Sequence, residues 1–434
     1  MAMRFRTNTA RRAYRSLVDR HPLRSLRAGR TLDQVVLHVT STCNLRCKYC
    51  FAVQGSFGLP VQHRMRSDQA IRFVDNIVDS YDAVGQIKFF GGEPLLNVEC
   101  IRAVCEHLSR RFDRGSLARL PRFHINTSLT LGLDQLVELI ELFNLTVTVG
   151  IDGPREVHDA QRCQTDGSGT FDLVDHNLRE LIELTDQPRT LEVVYTSVHL
   201  RRRMGPVDVH RYLARRYGHR NIHLHPQTPV LAFAGEPRRP RRRDYGRPGD
   251  LRRVFMDYGR YLVQQAMAQR DPASLRAIGI QLGSLVGNDQ YCDSGIAQLA
   301  IDVRGDVYPC SCFAGHPGFL MGNAEDFRGV EGGRFRSVRR ALLGNRKSKS
   351  RACRFCEIAK SCVSCPAAML KNGGALDTPL PQLCAARMGM VEGLMSALVE
   401  VTEELSTPIA DPTAADALQP REVERTNDVD SRVC

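Results

Sequence analysis

The segment Cys43-Asn44-Leu45-Arg46-Cys47-Lys48-Tyr49-Cys50 places three cysteines in one loop, with three residues in the first gap and two in the second. It follows an apolar run at residues 34–40 that is typical of a β-strand. A structural zinc ion or an electron-transfer cluster normally takes four protein ligands. A loop with three thiolates therefore predicts an iron–sulfur cluster in which one iron is left open to a small molecule.

A second motif, Phe89-Phe90-Gly91-Gly92-Glu93-Pro94, ends the next predicted strand. Its glycines allow the backbone to approach a ligand closely, and the Glu93 carboxylate offers an acceptor for an ammonium group. Together the two motifs resemble those of the radical S-adenosylmethionine (SAM) enzymes, which carry a CxxxCxxC loop followed by a GGEP turn. The resemblance implies that the open iron chelates the methionine part of SAM and that Gly91, Gly92, Glu93 and Pro94 hold its amino group.

The fold class predicted for residues 34–234 is α/β. Strand runs rich in Val, Ile, Leu and Phe, each followed by an amphipathic stretch, predict parallel strands covered by helices. The resemblance implies a partial (β/α)6 TIM-type barrel, and both motifs follow strands, where barrels of this kind place their chemistry. The predicted strands are 34–40, 86–90, 122–127, 145–151, 190–196 and 221–227, and the predicted helices are 68–80, 98–111, 133–143, 172–184 and 207–217.

Three further residues match the family at the SAM site. Tyr49 occupies the position of an aromatic that packs near the adenine, although a half-buried loop tyrosine is an equal alternative. Asn126 resembles the Asn in the turn after the third strand. Arg162 follows a segment, residues 150–159, that resembles one in peptide- and protein-modifying members, and it is predicted to pair with the SAM carboxylate or to lie at the surface. Relatives usually carry Ser where this chain has Gly150, which puts a hydroxyl contact to the ribose in doubt.

Most of the fifteen cysteines stand at short, fixed spacings, which favours metal ligation over disulfides. From the residues alone, the pairs Cys353–Cys356 and Cys362–Cys365 are a candidate zinc site. The whole C-terminal set instead resembles the SPASM extension of radical SAM enzymes, which binds two auxiliary 4Fe-4S clusters. The resemblance implies that Cys292, Cys310 and Cys365 hold the first and that Cys353, Cys356, Cys362 and Cys384 hold the second.

Two details of this set depart from the SPASM pattern. The last gap, between Cys362 and Cys365, is two residues rather than the usual three. Cys312 is an additional cysteine. It either completes the first auxiliary cluster as fourth ligand or is unligated, in which case an open iron could bind a substrate group.

Composition predicts five stretches along the chain. Residues 1–33 form a solvated basic arm, 34–234 the barrel, 235–285 an Arg/Pro-rich linker with bridging helices at 250–269 and 272–283, 286–405 the SPASM domain, and 406–434 a disordered tail. The arm is too short for a separate leader-binding domain, so leader recognition is expected to use another surface or partner.

Charge and hydropathy restrict the partners. No apolar run approaches the roughly 20 residues that span a bilayer. The arm superficially resembles a transit peptide, but nothing else points to an organelle, and a cytoplasmic protein is expected. The net charge of +12 comes from arginine clusters, which are either solvated loops or a surface for an acidic leader peptide, reductase or nucleic acid. The absence of tryptophan and of aromatics among the basic residues gives little support to nucleic-acid binding.

The resemblance implies that electron transfer to SAM yields methionine and a 5′-deoxyadenosyl radical, which abstracts hydrogen from the substrate. Segments 49–58, 305–315 and 321–323 resemble maturases of ribosomally made peptides. The predicted function is therefore modification of a precursor peptide by crosslinking, thioether formation or epimerisation, with a flavodoxin- or ferredoxin-type low-potential electron donor as partner. No catalytic residue beyond the cofactor ligands is identified.

Two alternatives remain at this stage. A sulfatase-maturing type of radical SAM enzyme is the nearest, but such enzymes carry Asp directly after the cysteine that corresponds to Cys310, and this chain has Ser311. The second is a protein without SAM chemistry, either a multi-cluster electron carrier or a zinc-bearing nucleic-acid binder. Neither of those needs a GGEP turn.

Overall fold

The computed structural model describes residues 4–18, 29–58, 63–218, 221–227, 246–269, 278, 289–327 and 332–406. Apart from residue 278, the predicted helix at 272–283 lies outside the described residues, as do most of the predicted linker and all but the first residue of the predicted tail.

The described elements alternate between strands and helices through the first half of the chain. Short 3-10 helices occur at Pro94–Asn97, Ser311–Phe313, Pro317–Phe319 and Ala359–Ser361. In chain order the other elements are α1 (Asn8–Val18), β1 (Thr31–Leu32), β2 (Gln34–Thr40), α2 (Ser67–Val78), β3 (Ala83–Val84), β4 (Gln86–Gly91), α3 (Val98–Asp113), β5 (Arg122–Thr127), α4 (Leu133–Phe143), β6 (Thr146–Gly150), α5 (Arg155–His158), α6 (Phe171–Leu184), β7 (Thr190–Tyr195), α7 (Ser197–Arg201), α8 (Pro206–Tyr217), β8 (Ile222–Pro226), α9 (Pro248–Gln269), β9 (Gln298–Ile301), β10 (Asp306–Tyr308), β11 (Gly322–Asn323), α10 (Gly333–Gly344), α11 (Pro366–Lys371) and α12 (Pro381–Ser406).

The six predicted barrel strands, β2 and β4 to β8, pair in parallel in that order. Their side chains alternate between two environments, as the period of a strand requires. In β4, Ile87 and Phe89 are fully buried, whereas Lys88 and Phe90 line the interior cavity described below. The predicted α/β fold with a partial barrel is confirmed.

The C-terminal part of the chain extends the barrel sheet. Strand β9 pairs in parallel with β2, with Leu37 opposite Ile301, and β10 and β11 add antiparallel strands beyond it. The described sheet therefore has nine strands in the order β11-β10-β9-β2-β4-β5-β6-β7-β8. The cysteine-rich region, expected from the sequence to be a separate domain, thus shares its sheet with the barrel.

The N-terminal segment differs from the predicted solvated arm. Residues 8–18 form α1, which packs against α12, and its Ala10 and Tyr14 side chains are buried. The Tyr14 hydroxyl is 2.8 Å from Ser361 Oγ, and Arg11 forms an ion pair with Glu357. The prediction of a solvated arm is therefore wrong for α1, because a buried tyrosine and these polar contacts fix the helix in place. No helix in the described ranges has the length and apolarity needed to cross a membrane.

Candidate active site

A cavity of about 790 Å³ runs through the interior of the barrel and opens at the C-terminal ends of its strands. The loop of residues 43–50, called the cysteine loop below, lines one side, and the turn of residues 91–94, called the GGEP turn, follows β4 beside it. Cysteines of the C-terminal region line the same cavity. The fold thus brings together the two motifs that were read separately in the sequence.

Backbone hydrogen bonds hold the cysteine loop against the segment that follows α5. Arg46 N donates to Cys163 O at 2.7 Å, and Lys48 N donates to Gln161 O at 2.9 Å. The charges of Cys47 and Cys50 are close enough to act on Cys43. Held in this way, all three cysteines line the same cavity.

Burial raises the pKa of the Cys43 thiol to about 12 and that of the Cys47 thiol to about 11. A thiolate in this environment needs a bound cation, and metal coordination removes the thiol proton outright. The donor set therefore fits a soft metal cluster. Cys43, Cys47 and Cys50 would hold it, with one coordination position left for SAM.

The Glu93 carboxylate is buried and already accepts four hydrogen bonds. Thr127 Oγ1 and Leu95 N donate to Oε1 at 2.7 and 3.2 Å, and Ser128 N and Ser128 Oγ donate to Oε2 at 2.8 and 2.6 Å. A carboxylate has about four lone-pair sites, so the side chain is saturated. The prediction that Glu93 accepts the SAM ammonium through its side chain therefore requires it to release one of these donors.

The loop after Cys50 packs between the GGEP turn and a C-terminal loop. Gly55 has φ +88°, and a Cβ there would lie 2.3 Å from Gly92 Cα. A Cβ at Gly315 would lie 2.8 Å from the Phe57 carbonyl oxygen. Two of the segments that resemble peptide maturases are therefore in direct contact in space.

Arg162 lies beneath the end of β6. Its Nη1 donates to the Tyr49 hydroxyl at 2.8 Å, and that hydroxyl donates to Asp152 Oδ2 at 2.7 Å. Although burial opposes its charge, Tyr49, Cys47 and Asp152 hold the pKa of Arg162 well above its ordinary value. A Cβ at Gly150 would lie 2.7 Å from Arg162 Nη2, so the absence of a side chain there makes room for the guanidinium.

Asn126 belongs to a polar network inside the barrel. Its Nδ2 donates to Glu192 Oε2 at 3.2 Å, and His124 Nε2 is 2.9 Å from its Oδ1. His225 Nε2 lies 3.5 Å from Glu192 Oε1, and this contact raises the pKa of His225 although burial alone would lower it. Asn126 thus lines the cavity and also orients the Glu192 carboxylate.

Four C-terminal cysteines, Cys292, Cys310, Cys312 and Cys365, line the cavity and form the first C-terminal group. The Cys312 thiol lies near enough to Cys310 and Cys365 to interact with both, and the interaction with Cys312 lowers the pKa of Cys310 although burial opposes it. The charges of Cys310 and Cys365 also reach Cys292. The structure therefore places the additional cysteine beside the three that the SPASM pattern assigns to one cluster.

The second C-terminal group consists of Cys353, Cys356, Cys362 and Cys384, and none of the four lines the cavity. The other three act electrostatically on Cys384, whose pKa is raised mainly by burial. The Lys347 ammonium donates to the Cys362 carbonyl at 2.8 Å. The eight C-terminal cysteines that the structure describes thus separate into two sets of four, one at the cavity and one away from it.

Among the described residues, no three His, Cys, Asp or Glu side chains converge tightly enough to share one metal ion. An iron–sulfur cluster differs from a single ion because it takes its cysteine ligands at separate iron atoms.

Several cavity residues were not identified from the sequence. They are Lys88, Glu192, His223 and His225, all polar residues on barrel strands. The alternation of polar and apolar residues along these strands could have identified them, because each polar residue faces inward on a strand whose other face is apolar. His38 supports this wall from behind, because its Nε2 is 2.8 Å from Oγ of Ser311, which lines the cavity.

Residues 37–185 match the family described as the Radical SAM superfamily. The radical SAM cyclopropyl synthase TigE of Paramaledivibacter caminithermalis is 25% identical over 165 residues, which cover 35% of this chain and 33% of TigE. The serine-type anaerobic sulfatase-maturating enzyme of Bacteroides thetaiotaomicron is 29% identical over 147 residues, which cover 33% of this chain and 34% of that enzyme. The chain therefore spans about a third of the length of these relatives.

The fold is also similar to a solved structure, native anSMEcpe with bound AdoMet (SAM) and the Cp18Cys peptide. The TM-score is 0.64 at 19% identity, over 86% of this chain and 99% of that chain. The match confirms the predicted radical SAM likeness for residues 37–185, and the solved structure confirms the predicted fold. The reaction of this chain, its substrate and the role of each site residue stay predictions.

Proposed function

We propose that this chain, whose residues 37–185 form a radical SAM domain, abstracts hydrogen from a residue of a ribosomally made precursor peptide and so forms a crosslink, a thioether or an epimerised centre. One observation carries the proposal. The cysteine loop, the GGEP turn and the first C-terminal cysteine group all line one cavity of about 790 Å³. A cavity of this size holds SAM together with one side chain of a peptide.

The residues of the chain would act by holding and shielding the reactants. Bound together, the cluster and SAM supply a carbon-centred radical, and that hard step belongs to the cofactors. Cys43, Cys47 and Cys50 would hold the cluster, and Arg162 would pair with the SAM carboxylate. The Phe51 and Phe90 rings, 6.2 Å apart between centroids, line the cavity wall and would exclude water beside them.

A peptide is the favoured substrate for two reasons. The contact between the loop of residues 51–58 and Gly315 joins segments that resemble peptide maturases. A structure with the same fold holds AdoMet and a peptide together. The two C-terminal cysteine groups would hold auxiliary clusters that conduct the electron released when the product is oxidised.

Ser311 bears on which peptide-modifying reaction is favoured. Its hydroxyl is 2.8 Å from His38 Nε2, and burial lowers the pKa of His38 to about 3, so that the imidazole is neutral at physiological pH. The residue after Cys310 is thus a serine beside a neutral imidazole. Sulfatase-maturing enzymes are expected to carry a carboxylate at this position. The similarity to the Bacteroides enzyme keeps sulfatase maturation as the second candidate.

Anaerobic reconstitution tests the proposal. We expect about twelve irons per chain, four per cluster, and release of 5′-deoxyadenosine when SAM and a reductant are added. In a Cys43→Ala variant the release should stop. The matched control is Cys100→Ala, which removes a thiol buried in α3 away from the cavity and should leave the release unchanged.

Co-expression with short peptides encoded beside the gene then distinguishes the reactions. A crosslink or thioether lowers the mass of the peptide by two hydrogens, whereas epimerisation in deuterated water raises it by one mass unit. Oxidation of a sulfatase peptide, with no change in any precursor peptide, would favour the second candidate. Bound zinc, or no SAM cleavage by fully reconstituted protein, would contradict both.

A further inference from the structure

Lys88 is a cation on the inner face of the barrel. It lies in the middle of β4, opposite Val36 on one side and His124 on the other. Its neighbours Ile87 and Phe89 are fully buried on the opposite face, so the Lys88 side chain lines the cavity. A strand rises about 3.3 Å per residue, so the Lys88 Cα lies about 7 Å along β4 from the Phe90 Cα, on the side away from the GGEP turn.

Within the described part of the chain, the Lys88 ammonium has no hydrogen bond and no ion pair shorter than 4 Å. Its recorded contact is with the Phe90 ring, whose centroid is 5.7 Å from Nζ. Burial lowers the pKa of Lys88, and the charge of Glu192, which no ion-pair contact joins to it, offsets this shift only in part. An unpaired cation in such a place is costly, so a lysine there favours a ligand that supplies the counter-charge.

The nearest carboxylate is already engaged elsewhere. Glu192 accepts a hydrogen bond from Asn126, and its Oε1 lies 3.5 Å from His225 Nε2. Burial would raise the pKa of Glu192, but the contact with His225 and the charge of Lys88 hold it well below the ordinary value. His124 is also committed, since its two ring nitrogens contact Thr146 and Asn126. The geometry therefore keeps Lys88 free for a group that enters from the cavity.

We propose that Lys88 binds a carboxylate of the substrate, which makes an Asp or Glu side chain the group that enters the barrel. This inference rests on the proposed function, because it assumes that a peptide occupies the cavity. A side chain that reaches Lys88 from above would leave its own backbone near the level of the GGEP turn. The acidic residue is then at the modified position or next to it.

The charge of the site favours a carboxylate over a phosphate. A phosphate group carries nearly two negative charges at neutral pH and would meet the Glu192 carboxylate across the barrel. A single carboxylate balances the single ammonium and adds charge-assisted hydrogen bonds.

The test measures binding of blocked amino acids to the reconstituted, SAM-loaded protein by equilibrium dialysis. The probes are N-acetyl-aspartate amide and N-acetyl-glutamate amide, each compared with its neutral amide counterpart, N-acetyl-asparagine amide or N-acetyl-glutamine amide. We expect the wild type to prefer an acidic probe by about tenfold or more, because a buried charge pair forms only with that probe.

Variants assign this preference to Lys88. Lys88→Met should abolish it, and Lys88→Arg should keep most of it. Lys349→Met removes the same charge from an exposed position and should change nothing. SAM affinity measured in each variant reports whether the cavity is intact, and Lys88→Gln replaces Lys88→Met if the latter fails to bind SAM.

Two outcomes would overturn the inference: equal or unmeasurable binding of acidic and neutral probes by the wild type, or an undiminished preference in Lys88→Met or Lys88→Gln. These outcomes are separate from failure of the proposed function, which shows itself as loss of SAM cleavage in the wild type.

Discussion

Ser128 Oγ donates a hydrogen bond of 2.6 Å to Oε2 of Glu93, and the backbone N of the same serine donates to the same oxygen at 2.8 Å. The GGEP turn after β4 is thus fixed to the turn after β5 through one buried carboxylate. In Glu93→Gln, one carboxylate oxygen becomes an NH2 group, which cannot accept hydrogen bonds. At least one of the groups that now donate to Glu93 would then lose its acceptor. We expect a loss of about 2 kcal/mol in the free energy of unfolding and weaker SAM binding.

Anaerobic thermal unfolding and a SAM titration monitored by electron paramagnetic resonance measure the two effects. Glu141→Gln is the control, because it removes a carboxyl group from an exposed position in α4. Wild-type stability together with wild-type SAM affinity in Glu93→Gln would contradict the prediction.

Gly150→Ser should displace the Arg162 guanidinium. The new Cβ would lie 2.7 and 2.8 Å from its two Nη atoms, and the displacement would break the hydrogen bond to Tyr49. We expect SAM affinity to fall by about tenfold, the effect of losing one charge-assisted contact. In Gly344→Ser the new side chain meets open space, so SAM affinity should not change. Unchanged affinity in both variants would remove Arg162 from the SAM site.

Gly55→Ala tests the contact between the loop after Cys50 and the GGEP turn. Ala at φ +88° is strained by about 1–2 kcal/mol, and its Cβ would also lie 2.3 Å from Gly92 Cα. Gly115→Ala shares the first effect at φ +70° but has no neighbour within 4 Å. We therefore expect both variants to lose stability and only Gly55→Ala to lose SAM binding. Equal SAM affinity in the two variants would show that the contact does not position the turn.

Tyr14→Ala should destabilise the protein by about 3 kcal/mol or more, because it removes a large buried side chain and its hydrogen bond to Ser361. Ser361 directly precedes Cys362, so we also expect faster loss of iron to a chelator from the second C-terminal cysteine group. Arg15→Ala, on the exposed face of α1, is the control. The measurements are the apparent unfolding temperature and the rate of iron release. A chelation rate like that of the wild type would separate α1 from this group.

Cys312→Ala distinguishes a closed cluster from an open one. The Cys312 thiol lines the same cavity as Cys310 and Cys365 and interacts with both, so we expect it to be the fourth ligand of the first auxiliary cluster. In the variant, an added thiol should bind the vacated iron and change the paramagnetic resonance spectrum, whereas the wild type should not respond. Silencing the cysteine-loop cluster by Cys43→Ala in both proteins isolates the signal. A wild type that responds to the thiol would indicate an open iron.

Local periodicity predicted most of the barrel. The predicted strands and helices agree with the structure within about two residues at each end, which is the usual uncertainty of element boundaries. Both motifs stand at strand ends, where their loops meet. These features depend on neighbouring residues in the sequence, which is why the sequence shows them.

Features that depend on distant partners were not predictable. The pairing of β9 with β2 joins segments far apart in the chain and leaves no local pattern. Glu93 is saturated mainly by hydrogen-bond donors from Thr127 and Ser128, at the end of β5. Tyr14 is buried in a helix that is otherwise rich in arginine. In each case the residue type was visible, but its partner was not.

The pairing of β9 with β2 also affects how electrons would move. Strand β2 leads into the cysteine loop, while β9 and β10 lie between Cys292 and Cys310, and backbone hydrogen bonds hold these strands together. In the described part of the chain, the two segments that would carry the redox centres therefore belong to one hydrogen-bonded sheet. A shared sheet would keep the tunnelling distance between the two centres fixed. The direction of electron flow would then depend on their reduction potentials rather than on domain motion.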